Sequence, residues 1–205
     1  MKILNLYSGL GGNSLFWKNH DVTAIEYTQE IANCYQVNHP SHKVIVADAH
    51  QFLLEHFEEF DFIWSSPPCQ SHSKMIRSGR NRKPRYPDFR MYEEILFLQH
   101  NFKGKWVVEN VKPYYQPLVE PSKTIGRHLF WSNFDIPDIE DEKPPINFIN
   151  DQNLTAKEKL CEWLGLKYGK NIYYEGNHCP TQVLRNCVHP NIGEKILLSV
   201  KNEKV

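Results

Sequence analysis

Short apolar runs alternate with amphipathic stretches through the first half of the chain. Lys2–Tyr7, Val22–Glu26, Lys43–Ala47, Phe60–Ser65 and Lys105–Glu109 each predict a strand. Between them, Gly12–Asn19, Gln29–Asn38, Gln51–Phe57 and Phe89–Phe102 carry helical patterns. Strand–helix alternation predicts βαβ units, hence an α/β fold with a mostly parallel sheet. Arg127–Phe134 predicts a further strand. Thr155 and Glu158 have capping-box spacing ahead of a helix over Lys159–Leu166. Pro190 suits the first turn of a last helix running to Val200. Two stretches break the rhythm. Ser66–Pro87 is rich in Pro, Ser, Arg and Lys; Pro137–Asn153 is acidic, then rich in Pro and Asn. Both predict surface loops.

The length, 205 residues, fits one domain with a real core and is short for two. Lys+Arg and Asp+Glu are both 24, which excludes a polycationic tail but not a local basic patch. No apolar run reaches membrane-span length. Met1–Leu6 reads as a first strand rather than a signal peptide, so a cytoplasmic location is expected. The five cysteines, at 34, 69, 161, 179 and 187, are odd in number and scattered, which predicts reduced thiols.

Five strand ends carry candidate chemistry. The first strand runs into Tyr7-Ser8-Gly9-Leu10-Gly11-Gly12, a turn where backbone can approach a ligand closely. The next two strands end in Glu26 and Asp48, and an acid after the second strand suits ribose hydroxyls. The P-loop lysine and the full G-x-G-x-x-G pattern are absent. A nucleoside-like cofactor without phosphates therefore fits better than ATP or NAD, and S-adenosylmethionine is such a ligand. The plain alternative is a tight turn with no ligand. The fourth strand ends in Ser66-Pro67-Pro68-Cys69-Gln70. Its prolines fix the backbone before Cys69 and present a nucleophile at the sheet's carboxyl edge. The alternative is a buried structural cysteine. The fifth strand delivers Glu109-Asn110-Val111. Burial there would raise the Glu109 pKa and make it an acid near neutral pH. The alternative is a salt-bridged Glu109 with Asn110 capping a helix.

These elements, in this order, resemble the C5-cytosine-specific DNA methyltransferase family. Gly126-Arg127-His128-Leu129-Phe130-Trp131-Ser132-Asn133 and Arg185-Asn186-Cys187-Val188 also resemble late family motifs. The resemblance implies a Rossmann-like S-adenosylmethionine-dependent methyltransferase fold with helices on both faces of the sheet. It implies methyl transfer to C5 of a flipped-out cytosine in DNA through a covalent cysteine adduct, leaving S-adenosylhomocysteine. It makes Cys69 the nucleophile that attacks C6, and Glu109 the residue that holds the N3 and N4 edge and protonates N3. Arg127 and His128 complete the catalytic group. The cofactor would be lined by Tyr7, Gly9, Leu10, Gly12, Glu26, Tyr27, Asp48, Ala49, Pro68 and Asn186. Glu26 would take the ribose and Asp48 the adenine. The resemblance leaves a tRNA cytosine as an alternative substrate, and a non-catalytic nucleic-acid-binding module as an alternative of another class.

The sequence departs from the family in three places. The late Arg-x-Arg pattern reads Gly126-Arg127-His128, and the usual Gly-Asn pair reads Arg185-Asn186. Residues 135–180 leave room only for a short insertion in place of a full target-recognition domain, so the chain resembles compact, phage-like members and reads as a single catalytic domain. The loop after Cys69 carries Lys74, Arg77, Arg80, Arg82, Lys83, Arg85 and Arg90 against only Asp88. With Gln70 and Ser73 it is the expected nucleic-acid contact; the alternative is a solvated basic run. The expected partner is DNA bound by a monomer, with a restriction endonuclease as a possible companion and no membrane. His178, Cys179, Cys187 and His189 lack zinc-site spacing, so no metal is expected.

Overall fold

The computed structural model describes residues 1–74, 86–146, 154–173, 179 and 181–202. Its seven strands are β1 Lys2–Leu6, β2 Asp21–Glu26, β3 Lys43–Val46, β4 Phe62–Ser65, β5 Lys105–Val111, β6 Lys123–Ile125 and β7 His128–Ser132. They form one sheet in the order β3-β2-β1-β4-β5-β7-β6. The first five pair in parallel, while β7 is antiparallel to both β5 and β6. The sheet is therefore mostly parallel, as expected. Its chain order reverses between β1 and β4, and such switch points open a crevice at the strands' carboxyl ends.

The helices are α1 Gln29–Asn38, α2 Ala49–His56, α3 Arg90–Asn101, α4 Leu154–Leu164, the single turn α5 Gln182–Arg185, and α6 Pro190–Asn202. Strand alternation sorts the core onto two faces. Leu4, Leu6, Ile25, Ile63, Trp106 and Val108 pack with Leu53 of α2 and with Met91, Ile95 and Leu98 of α3. Ile3, Val22, Phe62, Trp64 and Val107 face the other way, onto Trp17 and onto Ile192, Ile196 and Leu197 of α6. A third cluster joins Leu10 and Ile31 to Leu160 and Leu164 of α4 and to Val183 and Leu184.

Several expectations need correction. Gly12–Asn19 is not a helix but a run of turns, with Ser14, Leu15 and Trp17 donating backbone bonds three residues back. Its polar side chains are spent elsewhere. Asn13 donates to Asn5 Oδ1 at 2.9 Å, and the Trp17 indole donates to the Gly193 carbonyl at 3.2 Å. A Cβ on Gly12 would lie 2.5 Å from the Val188 carbonyl oxygen, so only glycine lets this segment sit against the stretch before α6. Thr155 lies inside α4, which begins a residue earlier, and so does not cap it. Arg127 belongs to the turn before β7 rather than to the strand. Strand β6 and the short α5 were not foreseen. Within 135–146, Ile136 is buried in the second core face, with Ile139 packed against it. None of the described helices is long and apolar enough to cross a membrane.

Candidate active site

The carboxyl ends of β1, β2, β4 and β5 open onto a cleft of about 790 Å³. Its wall includes Tyr7, Gly9, Gly12, Glu26, Tyr27, Asp48, Ala49, Pro68, Cys69, Gln70, Glu109, Arg127, His128 and Asn186. Every residue expected at the catalytic centre or the cofactor is therefore at one site, with one exception. Leu10 is fully buried in the third core cluster and takes no part in the wall. Asn13, Thr28, Ile31, Ser66, Asn110, Val111, Arg90, Val183 and Cys187 line it as well.

One end of the cleft is built around Glu26. Its carboxylate accepts from the backbone N–H of Gly9 at 2.9 Å and of Thr28 at 3.0 Å, so it fastens the glycine turn to the end of β2. Burial raises its pKa, opposed by those N–H donors. Asp48 caps α2, accepting from Gln51 N at 3.0 Å through Oδ1. Its Oδ2 lies 4.0 Å from Arg90, which pairs more closely with Asp88 at 3.0 Å. Arg90, grouped with the basic loop on sequence, is thus engaged with carboxylates at the rim. Tyr27 stands 76% exposed at the cleft, a free aromatic face. Tyr7 holds φ +53°, a left-handed conformation that costs a non-glycine residue about 1–3 kcal/mol.

Cys69 follows Pro67-Pro68, and its carbonyl accepts from His72 N at 3.0 Å and Ser73 N at 2.9 Å, a turn that fixes the Cys69 backbone. Asn110 donates to the Pro67 carbonyl at 2.9 Å. No helix follows it: β5 continues through Val111, so the helix-capping alternative falls. Burial pushes Glu109 up to about 7, against a hydrogen bond from Ser66 and the Arg127 charge. Burial, then the Glu109 carboxylate, push the Cys69 thiol up to about 11, and Arg127 draws it back. His128 Nε2 is 3.8 Å from Glu109 Oε1. Burial first, and Arg127 second, pull His128 down to about 3, so it stands neutral. The Arg127 guanidinium also donates to the Arg185 carbonyl, joining the turn before β7 to α5.

Of the residues expected to contact nucleic acid, only some lie among the described residues. Gln70 lines the cleft, Ser73 bridges to Pro113, and Lys74 is exposed. Arg77, Arg80, Arg82, Lys83 and Arg85 lie outside the described residues, as does His178. Cys187 Sγ donates to the Val183 carbonyl, and His189 Nε2 bonds the Trp163 carbonyl oxygen at 3.1 Å.

The model of the C-5 cytosine-specific DNA methylase family matches residues 1–117, more than half the chain. The chain belongs to that family. Its fold is the Rossmann-like one of S-adenosylmethionine-dependent methyltransferases. The type II methyltransferase M.FnuDI of Fusobacterium nucleatum is 33% identical over 140 residues, 63% of this chain and 40% of that one. The tRNA (cytosine(38)-C(5))-methyltransferase of Homo sapiens is 28% identical over 121 residues, 56% of this chain and 31% of that one. Among solved structures, a putative DNA modification methyltransferase encoded within an Escherichia coli prophage is 25% identical. Its TM-score is 0.38, covering 57% of this chain and 33% of that one. This member of the C-5 cytosine methylase family thus spans less than half the length of the curated relatives named here.

Proposed function

We propose that the chain transfers a methyl group from S-adenosylmethionine to C5 of a flipped-out cytosine in DNA. The supporting observation is that Cys69 and Glu109 share one cleft with Glu26, Asp48 and the Tyr7–Gly12 turn. The cleft suits the cofactor. Its volume lies within the usual range for small-molecule sites. Carboxylates and an exposed tyrosine ring flank the nucleoside end; among the described residues the wall carries no lysine, and its cations are Arg90, paired with Asp88, and Arg127. Glu26 and Asp48 would hold the ribose and adenine, with Tyr27, Ala49, Pro68 and Asn186 around them.

S-adenosylmethionine, when bound, supplies an electrophilic methyl group on a sulfonium sulfur. The chain's own residues make the cytosine a nucleophile. Cys69 loses its proton to solvent, and the Sγ thiolate adds to C6; the thiolate is restored when the Sγ–C6 bond breaks. Glu109 transfers its proton to N3, so electron density gathers at C5 rather than on the ring nitrogen. After methylation the C5 proton leaves to solvent, the Sγ–C6 bond breaks, and N3 returns its proton to Glu109. A buried acid at about 7 is suited to both transfers. Cys69 sits inside the cleft, which a base within a duplex cannot enter, so the base must leave the stack.

Lys74 and the basic residues after it would supply phosphate contacts, and residues 135–180 would stand in place of a larger target-recognition domain. A second reading keeps the chemistry and changes the substrate, since one relative is by name a tRNA methyltransferase. Tritium transfer from labelled S-adenosylmethionine to duplex DNA and to total tRNA separates the two. The proposal expects label in DNA; label in tRNA alone favours the second reading, and label in neither contradicts both.

A further inference from the structure

Glu94 is a fully buried carboxylate that the chemistry above does not use. It lies on the buried face of α3, next to Ile95 and one turn from Met91 and Leu98, where an unpartnered carboxylate would be costly. Its donors come from three other parts of the chain. Oε1 accepts from the Tyr7 hydroxyl at 2.6 Å and from His50 Nδ1, on α2, at 3.1 Å. Oε2 accepts from the Ser65 hydroxyl, at the end of β4, at 2.6 Å. His50 also has Glu93 at 3.7 Å from its other ring nitrogen.

Two of these donors adjoin the site. Tyr7 lines the cleft and opens the glycine turn, and Ser65 directly precedes Ser66–Cys69. Tyr7 holds an unfavourable backbone conformation, so a strong side-chain anchor is what keeps its ring and the following turn in place. A short hydrogen bond to a carboxylate is such an anchor. We infer that Glu94 is a positioning residue for the cofactor: through the Tyr7 hydroxyl it sets the Tyr7 ring and the Ser8–Gly12 turn in their binding geometry. The inference rests on the proposed reading of the cleft as an S-adenosylmethionine site.

The test measures S-adenosylhomocysteine affinity by calorimetry for the parent, Glu94→Gln, Tyr7→Phe and the double variant, with a melting temperature for each. Both single variants should weaken binding by about tenfold, the scale for a lost hydrogen bond to a charged group. Because both cut the same link, the double variant should bind no more weakly than the weaker single variant. Unchanged affinity in both single variants, with only the melting temperature lowered, would make Glu94 a structural residue and overturn the inference. So would single effects that multiply in the double variant. If Glu94→Gln does not fold, Tyr7→Phe decides alone: weakened binding supports the inference and unchanged binding overturns it. A parent that binds no S-adenosylhomocysteine overturns the cofactor reading itself, and this inference with it.

Discussion

Asn110 Nδ2 donates to the carbonyl oxygen of Pro67 at 2.9 Å across 43 residues of sequence, while its Oδ1 accepts from Val111 N at 2.9 Å. One amide thus ties the end of β5, which carries Glu109, to the proline turn that carries Cys69. Asn110→Asp removes the donor and sets a carboxylate oxygen against a carbonyl oxygen. The methylation rate should fall by about 100-fold, the scale for a small misplacement of reacting groups. S-adenosylhomocysteine affinity should change less than about threefold. A single-turnover rate within threefold of the parent would show that the tie does not position the nucleophile.

The pH profile follows from the opposed shifts of Glu109 and Cys69. The proposed reaction needs Glu109 protonated and Cys69 deprotonated, the reverse of their order of ionisation. Below about 7 Glu109 stays protonated, and the thiolate fraction rises tenfold per pH unit. Above about 7 the loss of protonated Glu109 cancels that rise, so kcat/KM should level off between about 7 and about 11. Glu109→Gln should be slower by about 100-fold or more, and its rate should keep rising through pH 7, because the group that caused the break is gone. A break near 7 that persists in Glu109→Gln would assign it to another group.

Buried histidines set the acid limit of stability. His39 and His42 stack at 4.8 Å behind the glycine turn, and His42 Nδ1 bonds the Tyr35 hydroxyl at 2.8 Å. Burial, and for His39 also His42, pull both down to about 4, while burial and Arg127 pull His128 to about 3. Unfolded histidine titrates near 6.5, so the folded state excludes protons that the unfolded state binds. Their stability is fully present above about 6.5 and is lost as the pH falls toward about 4. Glu109 and His50, both raised, act in the opposite sense. In a Glu109→Gln background the urea midpoint should be lower at pH 5 than at pH 7.5. A midpoint that holds or rises would contradict the assignment.

The proposed phosphate contacts of the basic loop would carry a salt signature. Replacing Arg80, Arg82 and Lys83 by glutamine should weaken binding about equally on all DNA sequences. It should also flatten the slope of log affinity against log salt by about two to three. The set of methylated sequences should stay the same, because phosphate contacts carry no sequence information. An unchanged slope would place the loop off the backbone, and altered target sites would mean that it reads bases.

Most of the candidate site is legible in the sequence because its signals are local. Glycines after a strand, an acid at a strand end and a proline pair before a cysteine each act on the backbone beside them. The order of strands then brings Glu26, Asp48, Cys69 and Glu109 to one sheet edge. Non-local choices hid the rest. Gly12–Asn19 has a helical pattern, yet Asn13 and Trp17 find partners on β1 and α6, and the turns that allow this replace the helix. Leu10 sits inside the glycine motif but faces the core formed with α4 and α5, whose positions no local pattern announces. Glu94 had a signal, a lone carboxylate on the face of Met91, Ile95 and Leu98. Its partners at Tyr7, His50 and Ser65 emerge only when the sheet closes. Of the Gly126-Arg127-His128 stretch, Arg127 is the cation that draws the Glu109 pKa back, while His128 beside it is neutral.

The central claim is that Cys69 and Glu109 methylate C5 of cytosine in DNA. The most direct measurement is mass spectrometry of nucleosides from unmethylated duplex DNA incubated with the protein and S-adenosylmethionine, beside Cys69→Ser. The account predicts 5-methyldeoxycytidine from the parent and at least tenfold less from Cys69→Ser, whose hydroxyl is a far weaker nucleophile, with S-adenosylhomocysteine affinity retained. Equal product from the two proteins, or methylation at adenine or at the cytosine amine instead of C5, would contradict it.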